Sequence, residues 1–176
     1  MAADTRFCDE ADFGFGWYLR GDTLPRTSHA LVHEGAVWLV DPIEAPGVGE
    51  RVRALGEPRG VIQLLDRHAR DGAAWALQLG VPLHVVPFAA IAGAPFELLP
   101  LVRSRFWRES ALWWPERRVL VAADALGTLP YFRAGGEPIG VHPLLRLRPP
   151  RTLARLDPEH VLVGHGAGLH GPETAA

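Results

Sequence analysis

Acids and imidazoles recur where apolar runs stop. Asp66 and His68 follow the run 61–65, Asp124 follows 119–123, and His165 follows 160–163. Carboxylate oxygens and imidazole nitrogens gathered at one point suit Zn, Fe or Mn better than Ca or Mg. Such a set does chemistry only if distant segments end at a common rim, as strands of one layer do at corresponding edges.

The surrounding pattern supplies those strands. Runs 29–33 and 36–40 flank Glu34-Gly35, a two-residue turn signal with glycine providing positive φ, which predicts a hairpin ending at Asp41-Pro42. Over 49–55, Val52 and Leu55 share one side with Arg51 and Arg53 off it, and Gly56 follows as a stop, predicting a short helix. The run 61–65 is apolar except for Gln63, as in a strand covered on both faces. The polar stretch 66–72 comes next, then a helix over 73–79 closed by Gly80 and Pro82, then a strand over 83–86. This order is a βαβ unit, and polar residues past its first strand stand where such layers place chemistry. Further strands are predicted over 97–105, 110–114, 119–123 and 160–163, with a turn at Pro115-Glu116, a Gly- and Pro-rich loop over 125–150 and a helix over 152–156.

The chain has 176 residues, 48% apolar and 22% charged, with net charge −2, which fits one compact domain over 1–176 and excludes collagen-like, disordered and highly charged classes. All 18 basic residues are arginine, so no lysine is present to act as Schiff base or general base. Cys8 is alone and permits no intramolecular disulfide, and residues 1–10 carry Asp4, Arg6, Asp9 and Glu10 in place of an apolar leader; a cytoplasmic location is expected. The most apolar stretch, 73–102, is interrupted by Pro82, His84, Pro87 and Pro95 before it could span a bilayer, and no membrane partner is expected. Arg146, Arg148, Arg151 and Arg155 cluster around Pro149-Pro150; in a slightly acidic chain they read as a solvated strip paired with Asp157 and Glu159, and nucleic acid is disfavoured. Six tryptophans, including Trp107, Trp113 and Trp114, mark core or an interface, compatible with a homo-oligomer.

In order along the chain, the hairpin ending in Asp41, the strand, loop and helix over 64–76, the Trp114-Pro115-Glu116 turn, the strand ending in Asp124 and Val161-Leu162-Val163-Gly164-His165-Gly166 match milestones of the metallo-β-lactamase superfamily, which the sequence resembles over 29–166. The resemblance implies an α/β (α+β) fold, a four-layer αββα sandwich with a metal site at one edge of the two sheets. The site departs from the pattern. The family's His-x-His-x-Asp-His falls on Asp66-Arg67-His68-Ala69-Arg70-Asp71: His68 keeps its place, while Asp66 and Asp71 occupy histidine positions and could coordinate through oxygen. Arg70 replaces the metal-binding aspartate with a group that has no lone pair to offer. The histidine that the family places about ten residues before the Pro-Glu turn falls on Arg105. Asp124 resembles the bridging carboxylate and His165 the final histidine.

Three carboxylates crowded at one edge repel unless cations neutralise them. Arg70 and Arg105 are expected to do so as bidentate partners, leaving at most one divalent metal (Zn, Fe or Mn) on His68, Asp124, His165 and either Asp66 or Asp71. The competing roles are ordinary ones: hydrogen-bonded histidines for His68 and His165, a loop carboxylate bonded to amides or Arg70 for Asp124, pairing with Arg67 or Arg70 for Asp66, and a helix N-cap for Asp71. His142, in Gly140-Val141-His142-Pro143, could fold over the site; the other histidines are expected at the surface or in hydrogen bonds. The leading expectation is a metal-dependent hydrolase of an ester, thioester, amide or phosphoester, with a degenerate, at most mononuclear site and Arg70 or Arg105 holding the substrate's anionic group or oxyanion. The alternative is a non-catalytic binding protein whose arginine–carboxylate pocket takes a small anionic ligand.

Overall fold

Glu34 and Gly35 both adopt left-handed backbone, with φ of 49° and 77°, and so close a tight hairpin between Ser28–His33 and Ala36–Val40. The structure, a computed structural model, describes residues 4–171; residues 1–3 of the leader reading and 172–176 of the domain reading lie outside it. Its strands are β1 (Thr5–Ala11), β2 (Gly14–Leu19), β3 (Ser28–His33), β4 (Ala36–Val40), β5 (Glu57–Gln63), β6 (Leu83–Val85), β7 (Glu97–Arg103), β8 (Arg108–Trp114), β9 (Val119–Ala122), β10 (Leu126–Gly127), β11 (Gly140–Val141), β12 (His160–Val163) and β13 (Leu169–His170). Two helices interrupt them, α1 (Val48–Leu55) and α2 (Gly72–Leu79).

The first sheet has the order β1-β2-β3-β4-β5-β6. β1 to β4 form an antiparallel meander, whereas β4, β5 and β6 run parallel through α1 and α2, giving the predicted βαβ unit. The second sheet has the order β13-β12-β9-β8-β7, with β12 parallel to β9. Parallel pairing brings the ends of β9 and β12 side by side, and these ends carry Asp124 and His165.

Three cores separate four layers. Val48, Val52, Trp75 and Ala76 of the helices pack on Trp17, Leu39 and other residues of the first sheet's outer face. Leu31, Trp38 and Ile62 meet Leu112, Trp114 and Leu162 between the sheets. Ala111, Leu120 and Val161, on the far side of the second sheet, are covered by Leu126, Ile139, Leu153 and Leu156. This last cover is loop and 3-10 turn. The helix expected over 152–156 is a single 3-10 turn, Leu153–Arg155, because Pro149-Pro150 and Pro158 leave too few residues for a stable α-helix.

The β1–β2 hairpin carries no signal in the sequence reading, since charges and Gly14 and Gly16 blur its alternation. Gly14 is dictated by contact: a Cβ there would come within 2.0 Å of the Ala30 carbonyl oxygen. Buried Asp9 then clasps the two sheets, meeting His29 Nε2 at 3.2 Å on one oxygen and His170 Nε2 at 3.1 Å on the other.

Candidate metal centre

His68 stands in the turn after β5. Its amide donates to the Leu65 carbonyl at 2.9 Å, and the Gln63 side chain donates to the same carbonyl at 2.8 Å, so the turn is fixed from inside. Asp41, with left-handed φ of 44° at the end of β4, accepts the Leu64 amide on Oδ1 and faces His68 Nδ1 at 2.9 Å with Oδ2. An ionised carboxylate can only accept, so the Nδ1 proton of His68 points at Asp41 and Nε2 points the other way, to Asp124 Oδ1 at 2.9 Å.

His165 repeats this logic from β12. Its Nδ1 lies 3.1 Å from the Pro25 carbonyl oxygen, another pure acceptor, and its Nε2 lies 3.2 Å from the same Asp124 Oδ1. The two rings meet edge to face, with centroids 5.7 Å apart. Gly164 makes the approach possible, since a Cβ there would sit 3.0 Å from the Ala123 carbonyl oxygen and 3.1 Å from His68 Cε1.

Thus both imidazoles commit their Nδ1 protons outward and turn Nε2 onto one carboxylate oxygen. That oxygen is buried and receives no aligned hydrogen bond although both nitrogens are within ion-pair reach. The donor atoms of His68, Asp124 and His165 lie within 4.8 Å of one another. Ligands on a tetrahedral ion with bonds near 2.0–2.1 Å are about 3.3 Å apart, so the Asp124 spacings fit a shared cation. Protons compete for the same position. Burial works against charge on His68, but Asp124 and Asp41 outweigh it and raise its pKa; Asp124, which burial alone would raise, is held well below the usual carboxylate range by His165 and His68.

The other residues read from the sequence have different partners. Asp66 is tied to β8, its Oδ2 accepting the Arg108 amide at 3.0 Å. Asp71 occupies the N-cap position of α2, yet its side chain makes no cap bond and accepts the Glu44 amide at 2.7 Å. Neither joins the triad among the described residues. Arg70 is not a bidentate partner of a carboxylate: Nη1 donates to the Thr27 and Asp41 carbonyls at 2.6 and 2.9 Å, and Nη2 to the Gly164 carbonyl at 3.1 Å. It therefore ties together the ends of three chain segments from both sheets. Arg105 is exposed, with its guanidinium 5.6 Å from the Phe106 ring centre. Carbonyl oxygens at the strand ends satisfied the Arg70 donors, and sequence spacing could not reveal them.

Neither Arg67 nor Glu109 was assigned to the site from the sequence, where Arg67 stood only as a partner of Asp66, a pairing present at 3.8 Å. Arg67, half exposed, lies 3.8 Å from Asp124 Oδ2 and 4.8 Å over the Trp107 ring, making it the cation at the mouth. Glu109 is fully buried; its carboxylate accepts the amides of Ala123 and Ala125 at 3.1 and 2.9 Å and the Trp107 indole N–H at 2.8 Å, gripping the chain on both sides of Asp124. In the sequence Glu109 stands just before the strand expected over 110–114, and no spacing ties it to Asp124. The loop over 125–150 roofs the site: Phe132 stacks on His165 at 5.9 Å and buried His142 sits edge-on to Trp107 at 4.8 Å.

The architecture is similar to that of DIM-1 metallo-beta-lactamase, at TM-score 0.72 and 14% identity, covering 96% of this chain and 92% of that one. It is also similar to the metallo-beta-lactamase FIM-1 from Pseudomonas aeruginosa in its mono-zinc form, at TM-score 0.69 and 10% identity over 96% and 91%. The apo chemotaxis sensor ODP from T. denticola aligns at TM-score 0.57 and 15% identity over 99% and 92%. No protein-family model and no curated protein matches the sequence, so the likeness is one of fold. The chain has the metallo-β-lactamase fold, with a His–Asp–His group at its sheet edge that has the donor chemistry of a metal site.

Proposed function

We propose that the protein is a metal-dependent hydrolase with a mononuclear centre in which His68, Asp124 and His165 hold one Zn, Fe or Mn ion. The observation carrying this reading is the convergence of two Nε2 atoms, each with its Nδ1 proton directed at an outer acceptor, on an otherwise unsatisfied Asp124 Oδ1. Outer carboxylates and carbonyls holding the second imidazole nitrogen are the usual support of histidine ligands. The mono-zinc form of FIM-1 agrees with a single ion on this fold. A divalent ion at this point supplies Lewis acidity and brings the pKa of water toward neutrality.

The chain's own groups do the rest. Asp41 and the Pro25 carbonyl fix which nitrogen of each imidazole faces inward. Glu109 immobilises the Ala123–Ala125 backbone and so the position of Asp124. Arg67, with Nη1 on the Phe106 carbonyl and Nη2 3.8 Å from Asp124 Oδ2, is assigned the role of meeting an anionic substrate group or developing oxyanion, the role expected from the sequence for Arg70 and Arg105. The non-catalytic anion pocket has less support, since both Nη groups of Arg70 are engaged on carbonyls and Arg105 lies exposed against Phe106.

Elemental analysis of the purified chain tests this reading. About one equivalent of transition metal is expected, lost in His165→Ala together with hydrolysis of model esters and phosphoesters. A chain that purifies without metal, melts identically with and without chelator, or keeps its turnover in His165→Ala overturns it.

A further inference from the structure

The arginine strip of the 125–158 region has a different environment from the one its sequence suggests. Between Glu137 and Asp157 the chain has no acidic residue, yet it carries Arg146, Arg148, Arg151 and Arg155. Asp157 and Glu159, the expected partners, turn instead to Arg118, at 2.8 and 3.9 Å. Arg146 donates to the Phe132 and Val141 carbonyls. Among the described residues, Arg148, Arg151 and Arg155 meet no carboxylate within ion-pair distance.

The strip is firmly seated, because Leu145 packs on the inter-sheet core and Leu153 and Leu156 pack on the outer face of the second sheet. Leu144 and Leu147 are exposed by 77% and 95%, and Arg148, Arg151 and Arg155 of the same segment are exposed as well. Arg151, Thr152 and Arg155 line a largely apolar cleft of about 240 Å³ with the stems of their side chains. Unpaired arginines alone suit any polyanion. Two fully presented leucines beside them do not: a nucleic-acid backbone gives aliphatic side chains nothing, whereas a lipid surface offers phosphate to the one and acyl chain to the other.

We propose that residues 143–155 dock the protein on the surface of an anionic lipid bilayer. Leu144 and Leu147 enter the acyl boundary, and Arg148, Arg151 and Arg155 meet lipid phosphates. This revises the expectation that no membrane partner exists. No helix among the described residues is long and apolar enough to cross a membrane, but lying on one requires only a basic and apolar face. The same segment begins at His142, whose Nδ1 accepts the Leu144 amide at 3.2 Å and whose ring touches Trp107, so the docked face adjoins the mouth of the metal centre. The inference stands apart from the hydrolase reading, since it needs no metal.

Co-sedimentation of the full chain with vesicles tests it, comparing pure phosphatidylcholine with phosphatidylcholine mixed with phosphatidylglycerol. Binding is expected only to the anionic vesicles and is expected to fall with added salt. Removing Arg148, Arg151 and Arg155 one at a time as alanine should weaken binding about fivefold each. The double variant Leu144→Ser, Leu147→Ser should weaken it roughly tenfold or more, with an unchanged melting temperature because both side chains are solvated. Equal partition to both vesicle types, no partition to either, or a leucine variant that binds as wild type overturns the proposal. Tight arginine-dependent binding of a DNA or RNA oligonucleotide that is indifferent to the leucine changes also overturns it, in favour of nucleic acid.

Discussion

Replacing Arg70 with methionine removes a guanidinium that bridges the Thr27, Asp41 and Gly164 carbonyls while keeping most of the side-chain volume. The three carbonyls do not suffer equally. The Asp41 carbonyl keeps the Ser28 hydroxyl at 2.7 Å and that of Gly164 keeps the Thr27 amide at 2.9 Å, whereas the Thr27 carbonyl has no second donor among the described contacts. Stranding one buried acceptor costs about 2 kcal/mol, and losing one charged donor from each of the other two costs about 1 kcal/mol apiece. Removing a buried Nε that has no partner returns about 1 kcal/mol, which leaves a net loss of about 3 kcal/mol. For a chain of this size that corresponds to a fall in melting temperature of about 6–12 °C, measurable by calorimetry or circular dichroism. Arg105→Met is the control: an exposed side chain resting on Phe106 should leave the melting temperature within about 2 °C of wild type. If the two variants melt alike, Arg70 does not hold the strand ends together and the reasoning fails.

Other expectations concern the centre itself. Asp41→Asn should keep the Leu64 amide bond but turn an N–H toward His68 Nδ1, which forces the imidazole proton onto Nε2; metal affinity by titration calorimetry should drop about 10- to 100-fold with little change in melting. Burial pushes Glu109 up to about 7 from an ordinary 4.5, with the Ala125 amide and Trp107 indole opposing the rise. The folded state thus holds that proton more tightly than the unfolded chain, so its contribution to stability is complete below about pH 4.5 and is lost as pH rises to about 7, by about 3 kcal/mol in all. Denaturant titrations across that range should show the decline in wild type and a flatter profile in Glu109→Gln; parallel profiles would assign the decline to other groups.

The sequence determined the elements that local physics controls. Alternating and continuous apolar runs marked most strands, Glu34-Gly35 the hairpin, and Gly80, left-handed at φ of 66°, the end of α2. It also brought His68, Asp124 and His165 forward, together with Asp66 and Asp71, because acids and imidazoles follow apolar strands; parallel pairing aligns only the ends of β9 and β12, and His68 reaches them from the other sheet. Tertiary structure decided the partners. Whether Arg70 met a carboxylate or three carbonyls, whether Arg118 or the strip took Asp157 and Glu159, and whether Glu109 lay behind Asp124 all depended on which segments, far apart in the chain, came to lie within hydrogen-bond reach. Hydrophobic periodicity acts over a few residues and was therefore legible. A charged group bonds to whichever acceptor folding leaves nearest, and that acceptor becomes defined only when the two sheets have closed on each other.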